Sequence, residues 1–326
     1  MNSVAIHTQE LRKNYIVSER EAGILASLQS LVHRRTESVS AVDAISFDIS
    51  PGEIVGFLGP NGAGKTTTLK MLSGLLHPTS GELSVLGFTP WKRDRSFLRQ
   101  ITLVMGQRNQ LVWDIPAIDS FELNRAIYRI PTTDYRRMLD DLTDLLELGD
   151  LIRKPVRNLS LGERMKCEIA AALLHRPQVV FLDEPTIGLD VTMQRRIRLF
   201  ISEYNRRYGA TVMLTSHYMA DVEALCRRVI VIHHGRLMYD GDLSALLQRF
   251  SGHKTIVVQL ETTPIDLQGY GEVVSREEGT VTLRVHKNET ARITERLLAD
   301  LPVTDLTVED PPIEEVIERV FAQEIP

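Results

Sequence analysis

The stretch Gly59-Pro60-Asn61-Gly62-Ala63-Gly64-Lys65-Thr66-Thr67 fits the pattern G-x-x-x-x-G-K-[ST]. Glycines lack a Cβ, so backbone N–H groups can converge on phosphate oxygens. Lys65 brings a positive charge to the β- and γ-phosphates, and the Thr66 hydroxyl suits Mg²⁺. The surroundings fit this chemistry. Ile54 to Leu58 reads as a buried strand before the loop, and Thr68 to Leu72 reads as helix after it. Strand, Gly-rich loop and helix N-terminus together make a phosphate cradle, which predicts binding of a nucleoside triphosphate. A Gly-rich turn that binds nothing is the bland alternative, and both spacing and context stand against it.

A second motif supplies carboxylates. Val179-Val180-Phe181-Leu182 is a short apolar run that ends in Asp183-Glu184-Pro185. Such a run suits a parallel strand buried on both faces, and ligands gather at the C-terminal ends of such strands. Asp183 there is a candidate for holding Mg²⁺, directly or through water. Glu184 is a candidate for polarising the water that attacks the γ-phosphate, a role worth about 10²–10⁴-fold in rate. Alone, the pair would as readily terminate a strand; beside a phosphate loop, it reads as catalytic.

With these motifs the chain resembles the ATPase subunit of an ABC transporter. Leu159-Ser160-Leu161-Gly162-Glu163 stands where that family has its signature, commonly L-S-G-G-Q. The resemblance implies that Ser160 and Gly162 face the ATP of a second copy, at a helix start suited to anions. Ile187-Gly188-Leu189-Asp190 matches the D-loop that follows the acidic strand. His217, after the apolar strand Thr211 to Ser216, matches the switch histidine that senses the γ-phosphate. Gln107 lies in the interval of the Q-loop glutamine, which links Mg²⁺ to the membrane-facing subdomain, although Met105-Gly106-Gln107-Arg108 is an unusual setting. Tyr15, in Leu11-Arg12-Lys13-Asn14-Tyr15, resembles the aromatic residue that stacks on adenine; an ordinary core tyrosine is its alternative. Two residues depart from the pattern. Leu161 replaces a glycine and Glu163 replaces the glutamine. Leucine resists positive φ, so either the backbone here is ordinary helix-start geometry or the shared site is altered.

The 326 residues suggest two domains. A hydrophobic fraction of 43% and a charged fraction of 25% are ordinary for a globular protein. A net charge of −5 without a basic stripe gives no electrostatic case for nucleic acid. Cys167 and Cys226 lie in apolar segments without metal-ligand spacing and read as small buried residues of a reducing compartment. No leader is visible at the N-terminus, and no run of 18 apolar residues is present to span a membrane.

The expected fold is α/β, a P-loop NTPase of the ABC type with a mixed-sheet core, a helical subdomain and a small α+β C-terminal domain. Residues 1–250 form the ATPase domain in this reading, with 4–15 an edge strand and 42–58 two strands around Pro51-Gly52-Glu53. Residues 16–40 are read as an inserted helix. Its stripe is Ile24, Leu25, Leu28, Leu31 and Val32, followed by His33, Arg34 and Arg35, and it suits self-packing or contact with a membrane subunit or lipid headgroups. The helical subdomain is placed at about 92–160, with Trp113, Asp114, Ile115 and Pro116 as contact candidates for a membrane subunit or as a plain turn. Leu243 to Phe250 reads as the last helix of the ATPase domain. Residues 251–326 read as strands at Thr255–Leu260 and Thr280–Val285, a helix at Glu289–Asp300, and a final helix opened by Asp310-Pro311-Pro312.

The resemblance implies an ATP- and Mg²⁺-dependent ATPase that energises an ABC-2-type transporter, more in keeping with export. Its expected partners are a second copy of itself and separate permease subunits, with no nucleic acid, at the cytoplasmic face of the cell membrane. The alternatives are a soluble ABC ATPase with a non-transport partner, or a low-activity regulatory ATP-binding module suggested by Leu161.

Overall fold

Short apolar segments build the centre of the molecule. In the computed structural model, which describes residues 4–18, 36–106, 110–250, 252–261, 267, 269–277 and 279–322, strands β3 (Ile54–Leu58), β5 (Ile101–Met105), β6 (Val179–Asp183), β7 (Thr211–Thr215), β8 (Arg228–His233) and β9 (Arg236–Asp242) form a six-stranded sheet in the order β5-β6-β7-β3-β8-β9. The pairs β5/β6, β6/β7, β3/β7 and β3/β8 are parallel. Every residue of β6 and β7 is buried, which is why both read as unbroken apolar runs rather than alternating ones.

A second sheet is antiparallel. It holds β1 (Ile6–Ser18) between β2 (Thr36–Ile49) and β4 (Ser80–Val85). The sequence reading of 4–15 as an edge strand is therefore corrected: β1 is the middle strand, and only beyond Arg12 does it pair with β2 alone. The expected insertion at 16–40 also shrinks. Ile16–Ser18 pair with Thr36–Ser38, so both ends continue the ribbon, while residues 19–35 lie outside the described residues. Ile16, Val17, Val39 and Val42 supply β-branched side chains along this ribbon, which favours pairing over helix. Between the two sheets' strands Phe47, Phe57, Leu69, Met71, Val85, Phe97 and Phe181 share one apolar core.

Helix α1 (Lys65–Leu72) follows β3, and α2 (Arg95–Leu98) precedes β5. The helices α3 (Ala117–Tyr128), α4 (Thr132–Leu146) and α5 (Leu161–Leu173) follow β5. The helical region is thus narrower than 92–160, because β5 hydrogen-bonds to β6 along its whole length and belongs to the sheet. Helix α6 (Val191–Tyr208) and the short α7 (Met219–Leu225) flank β7.

The chain divides into two compact units, residues 1–241 and 242–326. The second contains α8 (Leu243–Phe250), a four-stranded antiparallel sheet β11-β12-β10-β13, and helices α9 (Thr290–Asp300) and α10 (Ile313–Ala322). Its strands are β10 (His253–Leu260), β11 (Glu272–Glu277), β12 (Thr280–His286) and β13 (Val303–Glu309). Helix α8 was expected at the end of the first domain; it belongs to the second unit, where it packs on α10. Ile256, Val258, Leu283, Ile293 and Leu297 are central to this unit's own core. Strand β11 has no apolar alternation and is exposed throughout, so its sequence carries little strand signal. Asp310 pairs with Lys254 at 2.5 Å, and α10 begins three residues later.

Candidate functional site

The Gly-rich loop emerges between β3 and α1. Gly64 adopts φ 104°, and a Cβ there would lie 2.4 Å from Ala41 O, so the loop folds tightly against β2. Lys65 is buried and its Nζ donates to Gly59 O at 2.6 Å and Pro60 O at 3.0 Å. Burial pushes its pKa below the ordinary lysine value, against the opposing pull of the Glu184 and Asp183 carboxylates. The ammonium is thus held across the loop's mouth, where an anionic ligand would relieve its desolvation. Gly62 and Ala63 complete the turn with Asn61, and Thr67 follows Thr66 in the first turn of α1.

Across the sheet, Asp183 ends β6 between two hydroxyls. Thr66 Oγ1 donates to its Oδ2 at 2.9 Å, and Thr215 Oγ1 donates to its Oδ1 at 2.7 Å. Thr215 then closes the next link. The Glu184 N–H donates to Thr215 O and to Thr215 Oγ1, both at 3.1 Å. The Glu184 side chain meets His217, with Oε1 2.8 Å from Nε2. One continuous network therefore joins the phosphate loop, the acidic strand and His217, two residues past β7. Glu184 itself sits at φ 55°, a costly conformation for a residue with a side chain, and one that persists only when its surroundings over-determine it.

Gly106, just past β5, is part of that enforcement. Its N–H donates to Asp183 O at 2.9 Å, and a Cβ there would lie 2.2 Å from Glu184 O. Gln107 lies outside the described residues. Three residues further on, Gln110 N–H donates to the Glu168 carboxylate of α5 at 2.8 Å. Burial pushes the Glu168 pKa up, while the N–H groups of Gln110 and Leu111 hold it down.

Ser160 is the N-cap of α5. Its Oγ accepts from Glu163 N–H at 3.3 Å, and the Glu163 carboxylate accepts from Ser160 N–H at 2.8 Å, a reciprocal capping box. Glu163 therefore has a local task that a glutamine could share. Leu161 occupies the first helical position without positive φ, the ordinary helix-start alternative of the sequence reading. It is 40% exposed, and a Cβ on Gly188 would lie 3.2 Å from Leu161 Cδ2, so the leucine leans on the loop leading to α6. Gly162 faces Met193 of α6, and Asp190 caps that helix by accepting from Met193 N–H at 2.9 Å.

Tyr15 stands opposite Val39 on the β1/β2 ribbon, two residues before the Ala41 that abuts Gly64. At 37% exposure it is no core tyrosine, and Lys13 Nζ lies 5.3 Å from its ring centre. Trp113 is 45% exposed under Arg164, so it does not anchor a turn by burial; the turn is tied instead by Arg157, whose side chain pairs with Asp114 at 2.8 Å. Both cysteines are buried, which pushes their thiols up to about 12 and leaves them inert.

Thr215 and Gly106 were missed by motif reading. A threonine closing an apolar strand and a glycine directly after another are weak signals that only neighbouring strands make meaningful.

This fold and site define a P-loop ATPase. Residues 42–187 match the family described as ABC transporter, and residues 252–309 match the one described as EvrA-like ABC transporter, C-terminal domain. The chain is 36% identical over 210 residues to the ABC transporter ATP-binding protein NatA of Bacillus subtilis, covering 64% of this chain and 85% of that one. It is 34% identical over 231 residues to the Nod factor export ATP-binding protein I of Burkholderia thailandensis, covering 70% and 74%. Its fold is like that of the ATP-binding cassette MJ0796, solved as a dimer in a post-hydrolysis state with ADP and Pi, with a TM-score of 0.60 at 24% identity over 73% of this chain and 98% of that one. The chain belongs to the ABC transporter ATP-binding family and is an ATP-binding ATPase.

Proposed function

We propose that this protein energises an ABC-2-type transporter, an exporter, as an ATP-driven homodimer bound to separate permease subunits at the cytoplasmic face of the membrane. The names of its relatives support the export direction. Among the described residues no helix is long and apolar enough to cross a membrane, so the pore is assigned to other chains.

The observation that carries the mechanism is the network Thr66–Asp183–Thr215–Glu184–His217. Thr66 Oγ1 and Asp183 Oδ2, 2.9 Å apart, offer the hard oxygen donors that Mg²⁺ prefers, with phosphate oxygens and Gln107 as further ligands. Mg²⁺ there would neutralise charge on the β- and γ-phosphates. Lys65 and the loop N–H groups hold those phosphates, and Tyr15 stacks on the base. Glu184 orients the attacking water and takes its proton, while His217 holds the carboxylate and reads the γ-phosphate. Ser160 Oγ accepts from Glu163 N–H, and its O–H can exchange its bond to the Glu163 carboxylate for one to the second copy's ATP. ATP thus acts as interfacial glue whose hydrolysis reopens the dimer.

A groove of about 710 Å³ beside β5 and the end of α3 is ringed by Arg93, Arg95, Arg99 and Arg129, with no carboxylate among the described residues that line it. It borders Met105 and Gln110, on either side of Gln107, and fits a permease segment bearing acidic residues.

Glu184→Gln tests the reading. It should retain ATP binding, trap an ATP-dependent dimer, and lower turnover by about 10²–10⁴-fold. Near-normal turnover would remove Glu184 from this role.

A further inference from the structure

We infer that Asp221 is a positioning residue for hydrolysis, tying the histidine loop to the start of the D-loop so that His217 and Glu184 keep their mutual geometry. Asp221 lies in the first turn of α7 and is 1% exposed. It belongs to none of the motifs that mark the site. Its carboxylate nonetheless gathers three elements. Oδ2 accepts from Thr186 Oγ1 at 2.5 Å and from Ser216 Oγ at 2.7 Å. Oδ1 accepts from Arg198 Nη1 of α6 at 2.7 Å.

The placement of these partners gives the clamp its meaning. Ser216 immediately precedes His217, and its Oγ also accepts from Tyr218 N–H at 3.0 Å. The backbone is therefore held on both sides of the histidine. Thr186 lies two residues past Glu184, just after Pro185. Glu184 has a positive φ and is fixed on its other side by Thr215. Thr215 and Asp221 thus grip the Glu184–Thr186 segment from before and after, and both reach the strand-to-helix connection that carries His217. A carboxylate is suited to this post because it accepts several bonds at once, and Arg198 compensates its buried charge. Asp221 is buried and its carboxylate is taken up by Thr186, Ser216 and Arg198, so it acts through the residues it holds.

The inference rests on the roles proposed for Glu184 and His217, and the experiment separates the two. ATP turnover of the full chain is measured against MgATP for the parent, His217→Ala, Asp221→Asn, Thr186→Val and Thr186→Ser, alongside ATP affinity and melting temperature. Thr186→Val removes one hydroxyl at nearly constant volume, and Thr186→Ser restores it. Asp221→Asn should lower kcat by about tenfold or more, and Thr186→Val by about fivefold, with KM and ATP affinity within about twofold. Thr186→Ser should remain within about twofold of the parent. If Asp221→Asn does not fold, the Thr186 pair decides. Parent-like kcat in Thr186→Val overturns the clamp, as does a Thr186→Ser variant no better than the valine. Parallel loss of ATP affinity and melting temperature also overturns it, because that marks a purely structural role. Parent-like turnover in His217→Ala instead overturns the underlying site reading.

Discussion

Replacing Gly106 with alanine should disable hydrolysis without abolishing ATP binding. The new Cβ would lie 2.2 Å from Glu184 O and 2.9 Å from Ile187 Cγ2. A carbon and a carbonyl oxygen need about 3.3 Å, so roughly 1 Å of movement is required. The isoleucine can rotate away, but the oxygen belongs to the backbone. That backbone is already at φ 55° and is bonded to Thr215. Relief by moving β5 would break the Gly106 N–H bond to Asp183 O, so the strain divides between the two strands. Forced contacts of this kind cost about 1–3 kcal/mol of stability. A 1 Å displacement of a catalytic group costs about 10²-fold in rate. The assay is steady-state turnover with separate equilibrium ATP binding and thermal unfolding. The expected result is kcat lowered by about 10²-fold, affinity within about threefold, and a fold that remains cooperative. A folded Gly106→Ala variant with parent kcat would refute the claim that this contact sets the Glu184 position. Loss of ATP affinity equal to the loss of kcat would show that the effect passes through the phosphate loop instead.

Lys65→Ala removes the donor to Gly59 O and Pro60 O and the charge facing the phosphates; ATP affinity should fall by about tenfold or more, and unchanged binding at physiological salt would contradict it. Leu161→Gly should alter turnover by less than about tenfold, or about 1.4 kcal/mol of barrier, because the helix start already has ordinary geometry; a large rise would show that Leu161 holds the site in a low-activity form. Glu163→Ala should lower stability by less than about 1 kcal/mol near neutral pH, since the group is solvent-screened. The Ser160 backbone and side-chain bonds hold the Glu163 pKa below its ordinary 4.5, so its contribution is present above that value and lost as pH falls through the folded pKa. Thermal unfolding of parent and variant should therefore converge in acid, and a constant difference would count against the capping box as its source.

The departures from the family signature become intelligible in this geometry. Glutamine and glutamate can both complete the capping box at Ser160, so the change at position 163 leaves the helix start intact. Leucine at position 161 needs only helical backbone, and its side chain finds a place against Gly188. Neither substitution by itself argues for an inactive module.

The chemistry of this protein was written locally. A phosphate loop needs its glycines, lysine and threonine in consecutive positions, and the acidic strand needs its carboxylates directly at its end, so both are visible to a reader of short windows. Ser160 and His217 each stand next to a predicted element boundary, and Asp190 came from the family resemblance. The second unit was legible where apolar alternation was strong, at β10 and β12, and illegible at the fully exposed β11. Other features depended on partners distant in the chain. Nothing near Gly106 announces that Glu184 O, 78 residues on, will leave no room for a Cβ. Thr215 looks like the end of a strand until parallel pairing sets it beside Asp183. The central position of β1 follows from β4 pairing on its far side, and the membership of α8 follows from packing on α10. Asp221 is an ordinary helix residue in sequence and a junction of three elements in space. Residue type and spacing nominated the groups proposed to act on a nucleotide. Long-range strand pairing and burial decided how those groups are held, because the contacts that enforce a strained backbone or satisfy a buried carboxylate come from wherever the fold brings them.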